Sequence, residues 1–202
     1  MKRAVLLLFA LAALAQAQEP ATITIRKGDT TSVALKALGG GDGAAATKVL
    51  QNDLDLSALF SITPPERASY VISGNANGGS LEGQVVDQRG SVVLQKTCSG
   101  GTRAAVHHFA DDIVETLTGK KGIASSKIAF VATRTGRKEI YTADYDGANV
   151  RQLTNDDSIS VAPALSADGT KLAYTGYQSG YADIYLVDLA SGARNRIIKF
   201  PG

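Results

Sequence analysis

Apolar and polar positions change period four times along this chain, and each change predicts a different kind of element. After an apolar run at residues 4–14, residues 22–26 (TITIR) alternate strictly, the pattern of a strand with one buried face. Residues 33–38 form a second short apolar segment, ended by the glycine-rich stretch 39–43. Over residues 44–54 the period becomes helical, with Ala46, Val49, Leu50 and Leu54 on one face, and Pro64 and Pro65 break the chain beyond it. Three strand-like runs follow at 70–73, 81–86 and 92–98. Turn-rich joints at 75–79 and 87–90 make them an antiparallel meander. Helical spacing returns over 102–117, with Val106, Phe109, Ala110, Ile113 and Leu117 on one stripe. Gly119 supplies a stop, and Lys120 and Lys121 stand where the helix dipole favours cations. Residues 122–126 read as a hinge.

Everything after residue 127 has the period of strands, and it repeats. Residues 127–146 (KIAFVATRTGRKEIYTADYD) and 171–190 (KLAYTGYQSGYADIYLVDLA) align without a gap at an offset of 44 residues. Lys, Ala, Gly, Ile, Tyr and Asp recur in register at 127/171, 129/173, 136/180, 140/184, 141/185 and 144/188. Strand runs at 128–132, 140–144, 161–166, 172–175, 184–188 and 194–198 are separated by the turn dipeptides Asp146-Gly147, Asp168-Gly169 and Ser191-Gly192. A period of about 40–45 residues built from short strands is the spacing of β-propeller blades, which close in rings of about 4–8. Residues 127–202 hold fewer than two. The fold class expected is therefore α+β: a small α/β N-terminal domain over 18–121, then an incomplete antiparallel propeller with WD40-like repeats over 122–202. Ile128, Phe130, Ile140, Tyr141, Leu172, Tyr174, Ile184 and Tyr185 are the expected inter-sheet packing residues. Apolar faces at Leu172/Tyr174 and Ile184/Leu186 are expected to stay partly uncovered, which marks the chain as a fragment prone to self-association.

Charge and composition narrow the function classes. Lys2 and Arg3, the apolar run 4–14 and Ala15-Gln16-Ala17 make up a secretory signal peptide over residues 1–17. Without Lys2 and Arg3 the chain carries 19 basic residues against 19 acidic ones, so no basic nucleic-acid footprint is left. Cys98 is the single cysteine, which excludes an internal disulfide and reads as a small buried thiol.

Candidate chemistry is sparse. His107 and His108 point about 100° apart on a helix and lie off the apolar stripe, which predicts a solvated face rather than a metal pair. Residues 144–147 (DYDG) resemble the start of a calcium loop, but position twelve is Asn155, so a hairpin turn is expected. Gly39 to Ala44 threads onto G-x-G-x-x-A, yet without the parallel β-α-β setting a dinucleotide needs. Residues 176–180 (GYQSG) have the wrong spacing for a nucleophile elbow and fall in a predicted turn. Asp156 and Asp157 are expected in a solvated connecting loop. No catalytic, cofactor or metal residue is assigned.

The run 162–174 (APALSADGTKLAY) resembles the APxxSPDGxxIAF repeat of the TolB family, with Leu165 at the usual aromatic and Ala167 at the usual proline. Residues 108–122 (HFADDIVETLTGKKG), then 127–130 (KIAF) and 144–147 (DYDG), resemble the junction between the two TolB domains. The resemblance implies a periplasmic, non-enzymatic scaffold of the Tol-Pal system. In it a small α/β domain precedes a six-bladed propeller that grips the lipoprotein Pal, and the extreme N-terminal segment docks on TolA. The assembly keeps the outer membrane attached during constriction in cell division. Carried over residue by residue, the partner-binding segment is Gln18, Glu19, Thr22, Ile23, Thr24, Ile25 and Arg26; no Pal contact carries over. Two rivals remain: the propeller of a secreted oligopeptidase-like hydrolase, or a short stand-alone binding protein.

Overall fold

The structure, a computed structural model, describes residues 30–200; the expected leader and the alternating segment 22–26 lie outside it. Strand β1 (Thr31–Leu35) leads through the glycine loop into helix α1 (Gly43–Ser57) and back to β2 (Phe60–Ile62). Strands β3 (Tyr70–Asn77), β4 (Ser80–Asp87) and β5 (Val92–Cys98) follow, then helix α2 (Thr102–Thr118). The five strands form one sheet in the order β2-β1-β3-β4-β5. The first three strands are parallel, and β3, β4 and β5 make the expected antiparallel meander.

Both helices pack on one face of this sheet. The predicted apolar face of α1 is buried, and α2 buries Val106, Phe109, Ala110 and Ile113 against it. Along β4 the residues turned to the helices are Leu81, Gly83 and Val85. A side chain at position 83 would meet the Phe109 ring at 2.3 Å, so glycine there is what lets the ring settle on the sheet. Helix α2 ends where Gly119 turns left-handed (φ +69°) and gives its N–H to Glu115 O. Cys98 is buried at the rim, its thiol pushed up by burial and by Asp112 beside it.

The remaining strands are antiparallel and form two open sheets. Strands β6 (Lys127–Ala132), β7 (Glu139–Asp144) and β8 (Arg151–Gln152) make the first, and β9 (Ser160–Leu165), β10 (Lys171–Gly176), β11 (Asp183–Asp188) and β12 (Arg194–Ile198) the second. The 44-residue register carries into pairing: Lys127 faces Asp144 as Lys171 faces Asp188. Ala162 takes a left-handed φ of +52° where the β9–β10 register shifts, a bulge that places Pro163 where no ladder N–H is needed.

Two packing expectations change. Leu172 and Tyr174 are fully buried, and it is the opposite face, with Ile184 and Leu186, that is half-covered. Ile128, expected in the interior, is exposed, because it is Ala129, on the other face of β6, that packs on the blade core.

Candidate functional site

The helices and the first blade sheet meet at one polar junction. Val49, Asp53 and Ser57 are successive turns of α1, and Asp53 is a carboxylate on an otherwise apolar face, 2% exposed. On α2, Arg103 and His107 are one turn apart and project the same way. The β7–β8 turn approaches from the other side with Asp144 and Asp146. Asp144 N–H to Ala148 O and Gly147 N–H to Asp144 O close this turn, so the DYDG run is hairpin chemistry as expected.

His107 Nδ1 lies 2.7 Å from Asp53 Oδ2, and Arg103 pairs with Asp146 while its Nε stands 3.8 Å from Asp144 Oδ2. Lys127 Nζ (2.7 Å) and Asn149 Nδ2 (2.6 Å) hold the Asp144 carboxylate. Tyr145 reaches across to donate to Leu56 O at 3.4 Å. Burial pushes the Asp53 carboxyl up, against the neighbouring imidazole. The bond to Asp53 pushes His107 up despite burial. Lys127 and Asn149 hold Asp144 below the usual carboxylate range, and Arg103 does the same for Asp146, each against the cost of burial. Beside this cluster runs a groove of 290 Å³ lined by Gly101, Arg103, His108, Ser126 and Lys127.

The solvated-face expectation therefore holds for His108, which is exposed, and fails for His107, which is 4% exposed. The buried arc of α2 is wider than its apolar stripe, because α1 and the β7–β8 turn both close over it. Sequence reading missed Asp53 and Arg103 as well. A lone acid on the apolar face of α1 was the available signal, since a buried carboxylate requires a partner.

The linker is equally fixed. Asp111 accepts the N–H groups of Ala124 (2.6 Å) and Ser125 (3.1 Å) and the Ser125 hydroxyl. A side chain at Gly122 would come within 2.3 Å of Asp111 Cα. Residues 122–126 are thus a bound strap where a hinge was expected.

A second set of carboxylates recurs through the blades. Glu139 and Asp183 occupy equivalent positions of the repeat, both buried. Glu139 Oε1 accepts Asp156 N–H (3.0 Å) and Asp183 Oδ1 accepts Phe200 N–H (3.1 Å), each reaching 17 residues ahead to the segment that leaves the sheet. Thr154 completes the shell of Glu139, and Ser179 and Arg196 that of Asp183. Asp156 also departs from its expected solvated loop. Its side chain is 3% exposed, pairs with Arg194, and accepts from Tyr174 (2.8 Å) and Ser160 (2.9 Å). Asp157 does face solvent.

The glycine loop lies, contrary to expectation, inside a parallel β1-α1-β2 unit. Its amides are nevertheless taken by β3 and by the loop itself: Gly39 N–H goes to Gly74 O, Gly41 N–H to Asn77 Oδ1 and Gly43 N–H to Gly40 O. Gln18, Glu19, Thr22, Ile23, Thr24, Ile25 and Arg26, the expected partner segment, lie outside the described residues.

Comparison with known proteins agrees with this architecture. Residues 114–202 match the family model described as TolB beta propeller domain. A Protein TolB homolog of Chlorobaculum tepidum is 40% identical over 72% of this chain and 34% of its own length. One from Chlorobium chlorochromatii is 35% identical over 88% of this chain and 49% of its own. The Tol-Pal system protein TolB of Dechloromonas aromatica is 31% identical over 97% of this chain and 53% of its own. The crystal structure of TolB from Acinetobacter baumannii superposes on 86% of this chain and 51% of that one, with a TM-score of 0.74 at 24% identity, a likeness of fold. The chain thus spans between a third and about half of the curated relatives it matches.

Proposed function

Because this chain belongs to the TolB family over part of the length of its relatives, we propose that it is a non-enzymatic protein-binding scaffold of a Tol-Pal system, at work in the periplasm. Similarity that runs through both the helical unit and the blades is the observation that carries this reading. In this reading residues 1–17 direct export, residues 18–121 form the α/β domain and residues 122–202 the first part of the propeller.

The mechanism is docking. Residues 18–26 add a strand to the edge of a TolA sheet: main-chain hydrogen bonds supply affinity, and the alternating Ile23 and Ile25 supply register. The propeller face holds Pal, and the two contacts together link the layers of the envelope during constriction. The blade carboxylates support binding over catalysis, since Glu139, Asp156 and Asp183 are each engaged in the chain's own backbone and side chains.

Titration calorimetry of the chain against soluble Pal and against TolA tests this. Heat of binding with either partner is expected, with Ile23→Pro weakening TolA alone. Binding to neither overturns the reading.

A further inference from the structure

We infer that Asp53, His107 and Asp146 form a proton-operated latch between the helical layer and the first blade sheet, closed while His107 is cationic. The inference concerns the junction alone and does not depend on which proteins the scaffold holds.

The argument begins with charge. Three carboxylates meet at the junction: Asp53 from α1, and Asp144 and Asp146 from the β7–β8 turn. Three cations face them: Arg103 and His107 from α2, and Lys127 from β6. Lys127 serves Asp144 and Arg103 serves Asp146. Among the described residues, the only polar partner of Asp53 is His107; its second oxygen, Oδ1, is buried with no hydrogen-bond partner there, as is His107 Nε2. The cationic imidazole is therefore the counter-charge bonded to Asp53, with Arg103 acting from farther off, and it stands beside the carboxylate of Asp146. A ring nitrogen of His107 and one carboxylate oxygen each of Asp53 and Asp146 fall within 4.8 Å of one another.

A neutral imidazole can still donate Nδ1–H to Asp53, but it no longer offsets either charge. Two buried carboxylates, Asp53 on α1 and Asp146 on the turn, then stand close together with Arg103 as the cation left beside them. Desolvated like charges at this separation repel strongly, and the strain falls on whichever body can move. Asp53 and His107 sit on packed helices. Among the described residues, the turn at 145–148 is tied to them by Arg103 and the long Tyr145 bond alone. The turn is what gives way. A bound cation is not needed to explain the cluster, because Arg103 already holds Asp146 Oδ2 and Ala148 N–H fills Asp146 Oδ1.

The direction of the response follows. Asp53 holds the His107 proton above the ordinary imidazole value, so the latch is fully closed below about pH 6.5 and opens as pH rises through the folded value. Asp146, held low, stays ionised throughout this range, and Asp53, pushed up by burial, is the carboxyl whose protonation closes the window on the acid side.

Hydrogen–deuterium exchange of the full chain reads the latch through the peptide covering 144–148, with β11 as internal reference. Between about pH 6 and about pH 9 the protection factor of the turn is expected to fall about tenfold or more while that of β11 stays constant. His107→Gln, neutral at every pH, should show the low value throughout. Should that variant fail to fold, Asp146→Asn removes the repulsion from the blade side, and its protection should become independent of pH. A flat profile in the unaltered chain overturns the latch. So does an unchanged fall in either variant, or a fall that chelator abolishes.

Discussion

The two halves of this molecule are held together by different physics. Among the described residues, the helical unit shares one core of nineteen buried apolar or small residues, whereas the blade sheets share only Ile140, Leu172, Tyr174, Tyr185 and Val187. What the blades lack in apolar bulk they supply in buried carboxylates, each with a designated donor: Glu139, Asp144, Asp156 and Asp183. Thin sheets stacked side by side expose two edges each, and clamps fix their exits where side-chain packing cannot. Damage to the first half should therefore scale with volume removed, and damage to the second with hydrogen bonds left unmade.

The largest effect expected is from Phe109→Ala. Emptying the space over Gly83 should cost about 3–5 kcal/mol, a large share of the stability of a domain this size. Denaturant melts followed by exchange should show the five-stranded sheet opening first, with β9–β12 still protected. Equal loss in both halves would dissolve the contrast.

Glu139→Ala comes next, at about 1–3 kcal/mol, because it strands Asp156 N–H and the Thr154 hydroxyl in a buried site. Its signature is exchange confined to residues 152–160, and spreading into α2 would contradict it. Asp111→Ala should cost less, about 1 kcal/mol, while making the strap at 122–126 cleavable by protease.

The gentlest probe is acid. Asp144, Asp146 and Asp156 all have folded values below the ordinary 3.8, so they stabilise above it and lose that contribution as pH falls through the lowered values. The Asp53–His107 pair has the opposite sign. Blade melting temperature should therefore decline below about pH 4 while the α1–α2 contact holds, a difference visible by circular dichroism with site-specific exchange.

Sequence periodicity yielded nearly every element, because strand and helix stripes here answer to burial of one face. It yielded the blade repeat as well, since turn dipeptides and cross-strand pairs must recur at fixed spacing. What it missed was polar and buried. His107 looks like a surface residue when α2 is viewed alone, because the bodies that cover it, α1 and the β7–β8 turn, lie 54 and about 40 residues away in sequence. Asp156 was missed for the same reason, its partner Arg194 standing 38 residues downstream. The linker at 122–126 misled through composition. Small residues there serve close approach to Asp111 rather than freedom.

The carboxylates at the heads of β7 and β11 each bind a main-chain amide 17 positions later, past the end of their own sheet. A unit of cohesion in these blades is consequently out of phase with a unit of repeat: it begins at Glu139 and finishes on the path into the next sheet. Circular permutation offers two contrasting cut sites. New termini opened in the hairpin at 133–138 leave both clamps whole and should be tolerated, whereas termini opened at 153–157, which looks like a plain connecting loop, would sever the fastening that sets one blade against the next.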